Sequence, residues 1–363
     1  MEQQSQEYQQ YATIDPTLYQ QNYYGLDPKE EYKRDLKKTA GKSSMLLLIL
    51  GLGGNILAFI LLFFYIFLSV AIKMANGASL DTFDFMKAVD PQNGMFVFIA
   101  SLLPIIIIDI VVIVIAKFVY KIKLKSFFRK SETGILRNAA GVITCLAAGG
   151  VGSLIATLYL MLFEKLGIPI PAPDFSLPKD QPIWAVLMLT YVCVVGPIFE
   201  EIIFRGFLLK SLQKYGSMFA IILTSILFSL FHGNLVQFIP PFLMGIVLGI
   251  LTVKANTIIP AIVAHIINNS ISMLLGYLFP EGSKYSGFVD YIYIVVGVLI
   301  IVVATILYWK KFKEISKGDE TYMKTGAKIG TAFTSGWSIG YLIFYGILIV
   351  GMILMQLIAT SLH

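Results

Sequence analysis

The chain has 363 residues, of which 57% are hydrophobic and only 14% are charged, and its mean hydropathy is +0.77. A soluble domain carries about 25% charged residues, so this chain has too little polar surface to form soluble domains. Its net charge of +6 favours anionic lipid headgroups as its electrostatic partner, and no motif indicates nucleic-acid binding. The composition therefore predicts an all-α, polytopic membrane protein whose surroundings are the lipid bilayer.

The first 43 residues are polar, rich in Gln and Tyr, and basic towards their end. They contain no apolar stretch typical of a signal peptide, so the first apolar helix is expected to direct insertion. Such a composition buries little apolar surface. Residues 1–43 are predicted to be a disordered cytosolic tail that can become ordered on a cytosolic partner.

Nine apolar segments follow the tail. About 20 apolar residues cross the ~30 Å hydrocarbon core as a helix, so each segment is interpreted as a transmembrane helix. Residues 44–138 are predicted to form two such helices with a basic cytosolic loop, and residues 281–363 two more. The approximate limits of the nine segments are 44–72, 95–118, 139–163, 183–209, 217–232, 235–253, 257–279, 290–309 and 337–360.

The positive charges predict the orientation. If the N-terminus is inside, 23 of the 28 lysines and arginines lie in or beside inner connections, as the positive-inside rule requires. The C-terminus is then outside. Lysine far outnumbers arginine and isoleucine is frequent, which suggests AT-rich coding and a bacterial cell membrane.

Three acidic side chains and two histidines lie well inside apolar segments, where charge is costly and such groups are functional candidates. They are Asp109, Glu200, Glu201, His232 and His265. Four of the five fall within one stretch of the chain, from Glu200 to His265. Asp109 lies apart from this stretch, and it is predicted to line a cavity or to hydrogen-bond a neighbouring helix.

The helical repeat indicates which of these side chains lie on the same face of a helix. Glu201 and Arg205 are four residues apart and share a face, so they are expected to pair. Glu200 is offset by ~100° and is left free to meet a water or another helix. His265 and Asn269 also share a face. Counted along each helix from its cytosolic side at ~1.5 Å per residue, Glu200 and the two histidines lie at similar depths in the membrane and could come together.

Three motifs now stand in order along the chain: E-E-x-x-x-R from Glu200 to Arg205, F-x-x-x-H from Phe228 to His232, and H-x-x-x-N from His265 to Asn269. Together they resemble the CPBP family, which comprises type II CAAX prenyl endopeptidases and membrane proteins of bacteriocin processing or immunity. The resemblance covers about residues 139–280. It implies an intramembrane protease core of about eight helices whose polar cavity opens to the cytosol.

Peptide hydrolysis needs an activated water, donors for the oxyanion and a proton for the leaving amine. Glu200 is predicted to be the general base, and His232 to hold the same water or pass the proton on. His265 and Asn269 are predicted to supply oxyanion donors. Glu201, paired with the motif arginine, is expected to position the site. These roles are similar to those proposed for the family.

Other interpretations stay open at this point. Two histidines and a glutamate could bind Zn²⁺, which would involve Glu200, His232 and His265, although no H-E-x-x-H motif is present. We favour hydrolysis of a peptide or membrane-anchored protein tail without a cofactor, and a peptide leader is favoured over a CAAX tail in a bacterium. The alternatives are a non-catalytic scaffold or regulator, for example in signalling or bacteriocin immunity, a structural polar network, and a proton-coupled transporter.

Overall fold

The computed structural model describes residues 27–77, 89, 93–171, 181–280, 283–316 and 322–361. All regular structure within these ranges is helical, which confirms the all-α prediction. In chain order the helices are α1 Pro28–Ala75, α2 Gly94–Tyr120, α3 Ile135–Lys165, α4 Pro182–Tyr215, α5 Ser217–Phe231, α6 Ile239–Ala255, α7 Ile259–Leu278, α8 Ser286–Ser316, α9 Thr325–Phe333 and α10 Gly336–Ser361.

Seven of the described helices are long and apolar enough to cross a membrane, namely α1, α2, α3, α4, α7, α8 and α10. Helices α5 and α6 are apolar but have only 15 and 17 residues, less than the usual span of about 20. Each of the nine predicted segments contains a helix, but the count of nine membrane crossings is not confirmed.

The structure corrects the predicted end of the tail, because α1 begins at Pro28 rather than near residue 44. The Asp27 side chain accepts a hydrogen bond from the Lys29 amide at 3.0 Å and caps the helix. Proline is favoured in the first turn of a helix, and Leu36 is fully buried one to two turns further on. Residues 1–26, the remainder of the predicted tail, lie outside the described residues.

The early turns of α1 are held against the end of α4. Asp35 accepts hydrogen bonds from Lys214 and Tyr215, each at 2.7 Å. Thr39 shares a hydrogen bond of 2.8 Å with the Tyr215 hydroxyl, and the buried Lys328 of α9 donates to the Tyr215 carbonyl at 2.6 Å. These long-range contacts explain why a polar, basic segment is an ordered helix here.

Helices α5 and α6 pack closely through small residues. A Cβ atom built on Gly245 would lie 3.0 Å from the Ser225 Oγ, and one built on Gly249 would lie 3.1 Å from Ile221. Small residues at this spacing let two helices approach closely, as is typical of helix contacts in membranes.

Helix α4 lies at the centre of the packing and contacts α2, α5, α6 and α7. It contains two π-helical stretches, Tyr191–Val195 and Ile202–Leu209. Pro197 follows the first stretch closely, and Pro104 likewise follows a π-turn in α2. A proline cannot donate a backbone hydrogen bond to the preceding turn, which accounts for the widened helix before each one.

Replacing Gly206 in α4 by alanine is expected to destabilise the protein. A Cβ atom there would lie 2.7 Å from two ring carbons of the buried Phe127. Such overpacking costs about 1–3 kcal/mol, more than the gain of roughly 0.5–1 kcal/mol from helix propensity. The measurement is the thermal unfolding midpoint in detergent. Gly346→Ala in α10 is the control, because nothing lies within 4 Å of its added methyl; equal shifts in both variants would contradict the prediction.

Candidate active site

The structure brings the predicted site residues of three helices together. Glu200 and Glu201 lie in α4, His232 directly follows α5, and His265 lies in the first half of α7. These parts of the three helices meet, so the predicted convergence of the glutamates and His265 is confirmed, and His232 joins them across the Phe228 ring. The cluster is therefore formed by side chains that are far apart in sequence.

Glu201 is the buried centre of the cluster. Its Oε1 lies 2.9 Å from Nη1 of Arg205, and the two side chains are 0% and 1% exposed. The same oxygen lies 2.9 Å from Nδ1 of His265. Arg205 also donates from Nη2 to the Gly245 carbonyl at 3.4 Å. The predicted pairing of Glu201 with Arg205 is confirmed, and His265 is a second partner that helix spacing alone did not predict.

His265 lies between the two glutamates. Because a carboxylate paired with arginine accepts hydrogen bonds, Nδ1 of His265 is the donor to Glu201. Its other nitrogen, Nε2, lies 3.6 Å from Oε2 of Glu200. The Glu200 side chain is 24% exposed, whereas Glu201 is completely buried. Glu200 is thus the carboxylate of this pair that a water or substrate can reach.

His232 is oriented by its own helix. Its Nδ1 lies 2.8 Å from the Phe228 carbonyl, and a carbonyl only accepts hydrogen bonds. In the neutral ring, Nε2 of His232 is therefore an acceptor. The Phe228 ring meets His232 and His265 edge-on, with centroids 4.9 and 5.7 Å apart.

Phe228 also packs under the arginine of the cluster, since the Arg205 guanidinium carbon lies 4.5 Å from its ring centroid. The sequence motif contains this phenylalanine but assigned it no role. In the structure, the ring of Phe228 fills the space between both histidines and the guanidinium, and this packing fixes their relative positions.

The two asparagines of α7 differ in their contacts. Asn269 donates from Nδ2 to the Val192 carbonyl in the first π-turn of α4 at 3.0 Å. Asn268 donates to Oδ1 of Asn269 at 3.3 Å. Asn269 therefore links α7 to the helix that carries the glutamates.

Asp109 approaches the cluster from α2. It is 3% exposed, and its Oδ2 accepts a hydrogen bond from the Tyr191 hydroxyl of α4 at 2.9 Å. This confirms the predicted hydrogen bond to a neighbouring helix. Helix α2 also contacts the turn Gly196–Glu201, which carries Glu200. Sequence reasoning did not single out Tyr191, although it is a polar aromatic residue within an apolar segment.

Within the described ranges, no group of three His, Cys, Asp or Glu side chains is arranged to hold a metal ion. The Nδ1 atoms of His232 and His265 are both engaged by hydrogen bonds. Metal-binding histidines commonly hydrogen-bond through their other ring nitrogen, so the zinc alternative would use the two Nε2 atoms together with Glu200.

A cavity of about 170 Å³ lies between α4, α6 and the connection from α2 to α3. Arg205 and Lys210 line it, together with Ser126 and Asn256, but Glu200 and the histidines do not. Arg205 belongs both to the lining of this cavity and to the cluster, and it connects the two.

The fold and the cluster define a polytopic helical membrane protein with a buried acid–base site and one accessible carboxylate. Residues 182–271 match the family model described as "Type II CAAX prenyl endopeptidase Rce1-like". This segment runs from the start of α4 into α7 and contains all three motifs. The predicted resemblance is confirmed for this quarter of the chain, whereas α3 lies outside the match.

A curated protein of Bacillus subtilis (strain 168), named "Putative membrane peptidase YdiL", is 31% identical over 90 residues. The aligned part is 24% of this chain and 37% of that relative. The chain thus matches little more than a third of the relative's length. No solved structure gives a significant match.

Proposed function

We propose that the protein is an intramembrane endopeptidase that hydrolyses a peptide bond in a membrane-associated peptide or protein tail. One observation carries this proposal: Glu200 is accessible beside Nε2 of His265, while Glu201 is locked between Arg205 and His265. Two adjacent glutamates thus have different environments, so that one is available for chemistry and the other for positioning. The family match over residues 182–271 supports the same class of reaction.

In the proposed reaction, Glu200 accepts a proton from a water while the water oxygen forms a bond to the scissile carbonyl carbon. The carbonyl oxygen becomes the oxyanion of a tetrahedral intermediate. The carbon–nitrogen bond then breaks, and the proton held by Glu200 passes to the leaving amine. His232 can accept a hydrogen bond from the same water through Nε2, which would orient it towards the carbonyl.

The oxyanion needs hydrogen-bond donors aimed at its final position. The second amide hydrogen of Asn269 is one such donor, because the first is bound to Val192. His265 can contribute only through Nε2, when that atom carries a hydrogen, since Nδ1 already donates to Glu201. No cofactor takes part in this scheme, and the zinc-dependent version is the alternative that metal analysis decides.

The proposed membrane orientation places the N-terminus in the cytosol and the C-terminus outside. It predicts that the two ends of α3 lie on opposite sides of the membrane. Single cysteines at the exposed positions Lys125 and Lys165, in a variant without Cys145 and Cys193, should differ in labelling by an impermeant maleimide. The cysteine at 165 should react in intact cells, and that at 125 only after permeabilisation. The opposite pattern would contradict the orientation.

A comparison of cellular peptides tests the proposed activity. Cells with the wild-type protein and cells with Glu200→Ala should differ in at least one peptide pair, in which a longer precursor accumulates only in the variant. The favoured substrate is a peptide leader of a bacterial cell. If the peptides are identical while the variant is present in the membrane at normal abundance, the scaffold or regulator interpretation is supported instead.

A further inference from the structure

Asp109 is a buried carboxylate that the proposed reaction does not use. It lies midway along α2 among apolar residues and is 3% exposed. Within the described ranges it forms no ion pair, in contrast to Glu201 with its arginine. Placing an acidic side chain in the middle of an apolar membrane helix costs free energy. The presence of Asp109 there, bonded to Tyr191, therefore indicates a role beyond packing.

Tyr191 connects Asp109 to the part of α4 that carries Glu200. It is the first residue of the π-turn Tyr191–Val195. A Cβ atom on Gly196 would lie 3.1 Å from the Tyr191 carbonyl oxygen and 3.5 Å from its ring. The tyrosine therefore packs directly against the short turn Gly196–Glu201.

The same widened turn holds the asparagine of the site. Val192, next to Tyr191, accepts the hydrogen bond from Asn269. One π-turn is thus anchored from two sides, by Asp109 of α2 through the Tyr191 hydroxyl and by Asn269 of α7 through a backbone carbonyl. The turn that carries Glu200, Gly196–Glu201, begins directly after this π-turn and contacts both α2 and α7.

We propose that Asp109 and Tyr191 form a positioning pair that fixes the Glu200 carboxylate relative to Asn269 and the scissile bond. The inference rests on the proposed endopeptidase function. A misplacement of about 1 Å can cost roughly 10²-fold in rate. Neither residue touches the reacting atoms in this proposal, so both act through the geometry of the turn.

The test measures kcat and KM of monodisperse, purified protein on a fluorogenic peptide that spans the cleavage site found by the peptide comparison. Tyr191→Phe and Asp109→Ala should each lower kcat by about tenfold and leave KM within about twofold. The double variant should be no slower than the slower single variant, because both changes remove the same hydrogen bond. Asp109→Asn should keep a larger share of kcat than Asp109→Ala, since an amide oxygen still accepts from Tyr191.

Tyr120→Phe is the matched control. Tyr120 lies about three turns beyond Asp109 at the end of the same helix, and its hydroxyl shares a hydrogen bond of 2.8 Å with Ser43 of α1. A purely structural role for Tyr191 predicts that both tyrosine variants lower the yield of folded protein and leave kcat per folded molecule unchanged. That result, or additive effects in the double variant, would overturn the positioning pair.

The same assay separates this inference from the proposed function. If Glu200→Gln is as active as the wild type, the endopeptidase mechanism fails and the positioning pair fails with it. If Glu200→Gln is inactive while Tyr191→Phe retains the wild-type kcat, only the positioning pair is wrong.

Discussion

Replacing Glu200 by glutamine is expected to lower kcat by roughly 10²–10⁴-fold while the protein remains folded in the membrane. Glutamine keeps the size of the side chain but cannot accept the proton of the attacking water. Because Glu200 is 24% exposed and lies 3.6 Å from Nε2 of His265, the change leaves the buried pair of Glu201 with Arg205 intact. The measurement is single-turnover cleavage of the fluorogenic peptide, normalised to folded protein.

Glu164→Gln provides the matched control for Glu200→Gln, because Glu164 is an exposed glutamate near the end of α3; its variant should cleave at the wild-type rate. Direct metal analysis of active wild-type protein decides between the two versions of the chemistry. One tightly bound Zn²⁺ per chain, lost together with activity in His232→Ala, would contradict the assignment of Glu200 as a metal-independent base.

Replacing Arg205 by methionine is expected to have the largest effect on stability. The change leaves Glu201 fully buried without its arginine. Removing one partner of a buried ion pair costs about 3–5 kcal/mol. The added loss of the cation over the Phe228 ring acts in the same direction. Chemical unfolding in mixed micelles should show this decrease, together with a low yield of protein from membranes.

Two comparisons show whether the buried charge is the cause. The double variant Glu201→Gln with Arg205→Met removes both charges and should recover part of the lost stability. Lys33→Met breaks a surface pair with Glu30 at 2.7 Å, whose side chains are 37% and 56% exposed, and such pairs contribute about 0–1 kcal/mol. If Lys33→Met and Arg205→Met are equally destabilising, the stability of the protein does not depend on the pairing of Glu201 with Arg205.

The site could be predicted from sequence where it depends on helix periodicity. Residues four apart share a helix face, so the pairing of Glu201 with Arg205 follows from spacing alone. Helix rise predicted that the histidines and glutamates reach one depth. Neither rule shows which helices are neighbours, and for this reason the bond from His265 to Glu201 and the bond from Tyr191 to Asp109 were found only in the structure.

Other features depend on contacts or backbone detail that apolar runs do not encode. The helical start at Pro28 requires partners on α4 and α9 that are distant in sequence. Two of the three described π-helical stretches precede a proline, Pro104 or Pro197, whereas no proline follows the third, Ile202–Leu209. The lengths of α5 and α6 fall below a usual span, and a hydropathy pattern alone does not distinguish such helices from complete crossings.

The central claim is that the chain hydrolyses peptide bonds with a water activated by Glu200. Its most direct test is cleavage of the identified peptide by purified protein in ¹⁸O-labelled water, followed by mass spectrometry of the products. We expect one ¹⁸O atom in the newly formed carboxyl terminus with the wild-type protein, and at least about 100-fold less product with Glu200→Gln. Product formed equally by both proteins, or no product from folded wild-type protein on the peptide that accumulates in Glu200→Ala cells, would contradict it.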